Sequence, residues 1–105
     1  MTPVVSSINE ELATTQIPAK FELSQNYPNP FNPATTIRFS LPQAGAVKLT
    51  VYNLLGQVVT TLVNGYREGG TYNVNWDASN LSTGIYIYRV EANSFSLTKK
   101  MTLLK

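Results

Sequence analysis

From Thr35 onward the apolar residues of this chain recur at every second position, in short runs separated by clusters of Gly, Asn, Pro and Ser. That spacing leaves little choice of structure, because successive side chains of a strand point to opposite faces whereas a helix needs a repeat of 3.6. Residues 35–41 put Ile37, Phe39 and Leu41 on one face and Thr36, Arg38 and Ser40 on the other, until Pro42 stops the run. Residues 46–52 repeat the scheme, with Val47, Leu49 and Val51 inward and Lys48 and Thr50 outward. Asn53-Leu54-Leu55-Gly56 then reads as a tight reversal, since Asn and Gly tolerate the positive φ it requires. Residues 57–63 are the expected return strand, and their Val58-Val59 and Leu62-Val63 pairs, which blur the inward face, point to a β-bulge.

The second half follows the same grammar. Tyr72, Val74 and Trp76 face one way in residues 71–76, and a Ser- and Asn-rich loop closed by Gly84 follows. Residues 85–92 carry Tyr86, Tyr88 and Val90 on one side and Ile85, Ile87, Arg89 and Glu91 on the other. Asn93-Ser94 turns the chain into residues 95–104, where Phe95, Leu97, Met101 and Leu103 are in phase and Lys99 interrupts them. With residues 21–25 as a first strand the count is seven. Seven short strands with turn residues between them, one core Trp and no Cys indicate an all-β, immunoglobulin-like antiparallel β-sandwich without a disulfide, with a six- or seven-strand barrel as competitor.

Ahead of this pattern, Pro28, Pro30 and Pro33 each fix φ and push the preceding residue toward extended geometry. Residues 26–33 are therefore a rigid extended segment, with Tyr27 and Phe31 available to pack. Residues 1–20 show neither period and read as a flexible linker, the alternative being a short helix over residues 8–13. Met1-Thr2-Pro3 is expected to be a start added to an excised fragment, which places the domain at residues 21–105. Residues 1–20 lack the basic start and apolar core of an export signal, and no run is apolar enough for a membrane span, so no direct membrane insertion is expected.

The chemistry available is thin. The 105 residues include no Cys and no His, which excludes thiolate metal sites, thiol redox chemistry and the usual Ser-His-Asp and Cys-His arrangements. A net charge of +2 is too small a field to argue for nucleic acid. Outside the linker the carboxylates are Glu22, Glu68, Asp77 and Glu91. Glu68 and Asp77 flank one strand, but both sit where acids commonly solvate turns, and hydrolysis of a glycoside needs two carboxylates facing each other across about 5–10 Å. Asp77-Ala78-Ser79-Asn80 offers one carboxylate to a hard cation, too few for Ca²⁺, and no glycine-rich phosphate loop is present. No catalytic residue, cofactor or metal site is expected. Of the six tyrosines, Tyr72, Tyr86 and Tyr88 fall on inward positions, leaving Tyr52 and Tyr66 as candidate sugar-stacking rings.

Residues 23–33, Leu-Ser-Gln-Asn-Tyr-Pro-Asn-Pro-Phe-Asn-Pro, with residues 36–42, closely resemble the opening of the C-terminal sorting domain of the type IX (Por) secretion system, type A. The resemblance runs on through residues 51–59 with Gly56, through Val74-Asn75-Trp76-Asp77 and Ser82-Thr83-Gly84-Ile85-Tyr86, and ends at residues 99–105. Asn53 and Ala78 stand where the family often has Asp and Gly, both at turns. The resemblance implies a cleavable secretion signal that carries a covalently linked cargo across the outer membrane of Bacteroidetes-type bacteria. Its implied partners are the type IX translocon and a sortase-like peptidase cutting in the linker. It also implies transit through the periplasm, then the cell surface or medium. On this reading Lys99, Lys100, Met101, Leu103 and Lys105 form an end that a translocon reads by strand pairing and charge, although edge lysines also serve simply to block aggregation. Pro28, Pro30, Phe31, Pro33, Gly56, Trp76, Gly84 and Tyr86 are expected to be structural, Gly84 through its backbone and Tyr86 through packing. The alternative is a structural or carbohydrate-binding Ig-like accessory module of a surface enzyme, akin to the Ig-like domain of the flagellar hook-capping protein. An autonomous hydrolase is the weakest reading.

Overall fold

A computed structural model describes residues 17–105; most of the expected linker and its alternative helix lie outside the described residues. The strands are β1 (Glu22–Leu23), β2 (Ala34–Leu41), β3 (Gly45–Tyr52), β4 (Val58–Arg67), β5 (Gly70–Asp77), β6 (Gly84–Ala92) and β7 (Phe95–Leu103). Every pairing between them is antiparallel. They form a three-stranded sheet in the order β1-β2-β5 and a four-stranded sheet in the order β4-β3-β6-β7, so the molecule is a sandwich and not a closed barrel. In the constant-type immunoglobulin arrangement the fourth strand crosses to the sheet of the first, second and fifth. Here it stays on β3, because the reversal between them is tight: Asn53 Oδ1 accepts from the amides of Leu55 (2.9 Å) and Gln57 (3.0 Å), and Gly56 sits at φ 84°. Asn53 thus does the work an Asp would do at this turn.

The expected inward residues make the core. Ile37, Phe39 and Leu41 of the first sheet face Val47, Leu49, Val51, Tyr88 and Val90 of the second, all essentially inaccessible. The bulged strand is β4: its register on β3 shifts between Leu49 and Thr50 and again between Val51 and Tyr52, which lets Val59, Leu62 and Val63 all reach the core. The outer face of the three-stranded sheet is a ladder of cross-strand polar pairs, Thr36 Oγ1 to Asn75 Oδ1 (2.8 Å), Arg38 Nε to Asn73 Oδ1 (3.0 Å) and Ser40 with Thr71 (3.3 Å).

Four expectations need correction. Residues 26–33 are not one extended segment but bend at residues 28–30 and 32–33, and Tyr27 does not pack; its ring is 80% exposed, while Phe31 is buried. Phe95 and Leu97 are in phase with Met101 and Leu103 but remain exposed, because the two-residue β1 and the Phe21 ring beside this half of β7 cover it only in part. Gly84 is not in the left-handed region and a side chain there would meet no atom within 4 Å, so its backbone freedom is not what the fold requires.

Candidate functional site

The terminal strand is where sequence reasoning placed the recognition element, and the structure shows how it is held. On one side β7 pairs with β6 along its whole length, from Gly84 opposite Leu103 to Ala92 opposite Phe95. On the other side the proline-rich segment runs parallel to its C-terminal half as a strap. Gln25 Nε2 donates to the Lys100 carbonyl (2.7 Å), the Thr102 amide donates to Asn29 Oδ1 (3.0 Å), the Phe31 amide donates to the Thr102 carbonyl (2.9 Å), and the Leu104 amide donates to the Phe31 carbonyl (3.0 Å). Lys105 ends on the loop between β5 and β6, its amide bonded to Thr83 Oγ1 (3.0 Å) and its ammonium to the Ser79 carbonyl.

Why the strap lies there follows from its own side chains. Its three prolines have no backbone donor, so it cannot add a continuous ladder, and the backbone bonds of Phe31 are supplemented by the side-chain amides of Gln25 and Asn29. Phe31 inserts between the sheets and meets Trp76 at 5.8 Å between ring centroids, and Trp76 in turn meets Tyr86 edge-on at 6.2 Å. Three residues singled out as motif positions thus form one aromatic cluster. Asn26 is buried with its side chain and its amide engaged: Nδ2 donates to the Pro28 carbonyl (3.0 Å) and Thr35 Oγ1 (3.0 Å), Oδ1 accepts from Gln25 (2.7 Å), and its amide donates to the Tyr88 hydroxyl (2.8 Å). That hydroxyl donates to the Ser24 carbonyl (2.7 Å), and burial pushes the phenol up to about 12 from 10.0, the bond from Asn26 opposing the shift. Tyr86 closes the loop above it by bonding the Ser82 carbonyl four residues upstream (2.8 Å). Pro28 and Pro33 contribute carbonyls, Pro33 accepting from the Ala78 amide (2.9 Å), while Pro30 is exposed.

The candidate recognition residues therefore divide. Met101 and Leu103 are core side chains, and a partner of the folded domain cannot touch them directly. Lys99 is on the inward side and half-buried, a position its long apolar stem tolerates. Lys100 and Lys105 are exposed. The outer edge of β7 is taken up by the strap from Lys100 onward, so strand pairing by a partner is confined to the stretch before it.

The remaining candidates separate in space. Glu68 and Asp77 lie at opposite ends of the eight-residue β5, on the order of 25 Å apart by strand rise, far beyond a glycosidase pair. Asp77 Oδ1 is engaged by the hydroxyl and the amide of Ser79, which hold its carboxyl below the usual 3.8, with Lys105 adding to the effect. Among the described residues no three His, Cys, Asp or Glu side chains gather as metal ligands, and no helix is long and apolar enough to cross a membrane. Tyr52 and Tyr66, the expected sugar platform, stand six residues apart along β3, roughly 20 Å, and Arg89 covers the Tyr52 ring at 5.4 Å.

A family model described as a secretion system C-terminal sorting domain matches residues 25–103, from the start of the strap to the end of β7. The chain belongs to this family. Sorting domains of this kind are the C-terminal signals of type IX secretion, which export proteins toward the cell surface or the extracellular space. A solved structure, dimeric latent PorU from Porphyromonas gingivalis, is similar in fold at 20% identity with a TM-score of 0.60 over 82% of this chain. The chain spans 10% of the length of that protein. No curated protein matches. The matched span runs from the strap through β2 to β7, and residues 17–24 fall outside it.

Proposed function

We propose that residues 21–105 act as the folded address of a larger exported protein. An upstream cargo, covalently joined through residues 1–20, crosses the periplasm and is carried over the outer membrane by the type IX translocon. A sortase-like peptidase then cuts within residues 1–20, ahead of the folded strands. The domain works as a signal and not as an enzyme, a reading supported by the separation of Glu68 from Asp77. The observation that carries the proposal is the family match over residues 25–103, which takes in the strap and the terminal strand.

Recognition centres on the exposed charges of Lys100 and Lys105 and the half-exposed Lys99, presented at fixed positions by a strand whose Met101 and Leu103 anchor it in the core. Fixed surface charges favour fast and specific encounter with a complementary partner. The test is a reporter carrying a signal peptide and fused ahead of the 105-residue chain, expressed in a host with type IX secretion. Export of the reporter to the surface or medium is expected. Retention in the periplasm, or export undiminished after removal of residues 101–105, would sink the proposal.

A further inference from the structure

The outer face of the three-stranded sheet holds a second feature that the sorting function does not use. Beyond β1 the chain keeps pairing with β2: the Ser24 amide bonds the Arg38 carbonyl (2.9 Å), and Tyr27 and Thr36 exchange backbone bonds at 3.0 and 2.9 Å. This sets Tyr27, Thr36 and Asn75 in one cross-strand row and Ser24, Arg38 and Asn73 in the next. Ser24, Tyr27, Thr36, Arg38 and Asn73 line an open cleft of ≈ 350 Å³. The Tyr27 ring, 80% exposed, is its one aromatic wall.

The hydrogen bonds on this face leave a particular set of atoms over. Arg38 spends Nε on Asn73 Oδ1, and Thr36 spends its proton on Asn75 Oδ1. Both guanidinium Nη groups and the side-chain Nδ2 of Asn73 and of Asn75 have no protein partner among the described residues. The face thus offers fixed donors, one cation and a flat ring. Glu22, one row away, has its carboxylate 3.8 Å from the Lys20 ammonium.

We propose that this cleft binds a saccharide bearing a carboxylate, with the C–H face of a pyranose on the Tyr27 ring, the carboxylate on Arg38 and hydroxyls on Asn73 and Asn75. A pyranose presents an apolar face and an equatorial rim of hydroxyls, which matches a ring beside a row of amides. A guanidinium with two free Nη groups takes a carboxylate in bidentate fashion. A peptide adding to the free edge of β5 would take its specificity from side-chain pockets, and this face has none. A nucleic acid would need several cations, and the cleft has one. The site differs from the Tyr52 and Tyr66 pair, which share no surface within the reach of a short oligosaccharide.

The test is a titration of the 105-residue chain with trigalacturonate and, separately, with neutral galactotriose, followed by amide chemical shifts. Trigalacturonate is expected to shift the signals of Tyr27, Arg38 and Asn73 and to bind at least about tenfold more tightly than galactotriose, the discrimination of one charge-assisted contact. Tyr27→Phe keeps the ring and the binding; Tyr27→Ala removes binding of both sugars while the thermal midpoint stays put, since the lost ring is exposed. Arg38→Gln brings the two sugars to equal affinity. The proposal is overturned if neither sugar binds, if binding survives Tyr27→Ala, if the shifts map to Tyr52 and Tyr66, or if the unmodified protein binds both sugars equally. None of these outcomes bears on export of a fused reporter, so the two readings stand or fall separately.

Discussion

The two halves of β7 have the same alternation and the same partner strand, yet they live in different environments. From Lys100 to Leu103 the strand is clamped between β6 and the strap, and its inward side chains Met101 and Leu103 are inaccessible. From Phe95 to Leu97 it is paired on one side only, and its in-phase residues are 55% and 37% exposed, with Phe95 leaning on Phe21 at 5.8 Å. The difference lies in what faces the strand. A period-two pattern says which way a side chain points; burial also needs a facing layer long enough to cover it. The half of the strand that completes the core is thereby the half whose side chains are least available, and its outward charges are what remain to be read.

Substitutions can separate the halves. Leu103→Ala should cost about 2–5 kcal/mol, the usual penalty for emptying a filled core site, whereas Leu97→Ala should cost about 0.5 kcal/mol or less. Urea unfolding of the two variants measures this, and equal losses would erase the distinction. Tyr88→Phe comes next, at about 1–3 kcal/mol, because it leaves the buried Asn26 amide without an acceptor and the Ser24 carbonyl without a donor.

Tyr88 also gives the domain an alkaline limit. The folded state keeps the phenolic proton to about 12 while the unfolded chain releases it near 10.0. The contribution is intact below pH 10 and is lost progressively as pH rises from 10 toward 12, because deprotonation favours the unfolded chain. Unfolding midpoints measured across that window should fall in the parent protein, and more shallowly in Tyr88→Phe.

Smaller effects probe the strap itself. Asn29→Ala removes the acceptor of the Thr102 amide and should cost about 0.5–1.5 kcal/mol, with faster hydrogen exchange at Thr102 but not at residues 95–97. Smallest in stability is the double change Lys100→Ala with Lys105→Ala, expected within about 0.5 kcal/mol of the parent because both side chains are exposed. Its readout is export of the fused reporter, which should drop although the fold is intact. Unchanged export would move recognition away from these charges.

Much of the fold was legible because its causes are local. Alternation identified five of the strands, the Asn53 to Gly56 reversal is a short-range turn that implied the return strand β4, and the doubled Val and Leu pairs of β4 announced the register shifts that the strand contains. The contacts that hold the strap were not legible. Gln25 and Lys100, or Asn29 and Thr102, are more than seventy positions apart, and no periodicity links a side-chain amide to a distant backbone group. The exposure of Tyr27 was hidden for a related reason: it shares the proline-rich segment with Phe31, and only the path of that segment across the sheet edge decides which ring turns inward. The motif residues themselves were easy to pick out, but that Phe31, Trp76 and Tyr86 form one cluster required the two sheets to be assembled.

The direction of the strap has a mechanical consequence. Phe31 bridges Leu103 in the parallel sense, and the contacts advance together along both segments, from Gln25 with Lys100 to Phe31 with Leu104. A tension drawn between Phe21 and Lys105, as when a passenger drags on one end while the other is gripped, therefore loads these bonds side by side in shear. They share the load and do not open one after another like a zip, so the geometry resists pulling from its own two ends far better than peeling from one.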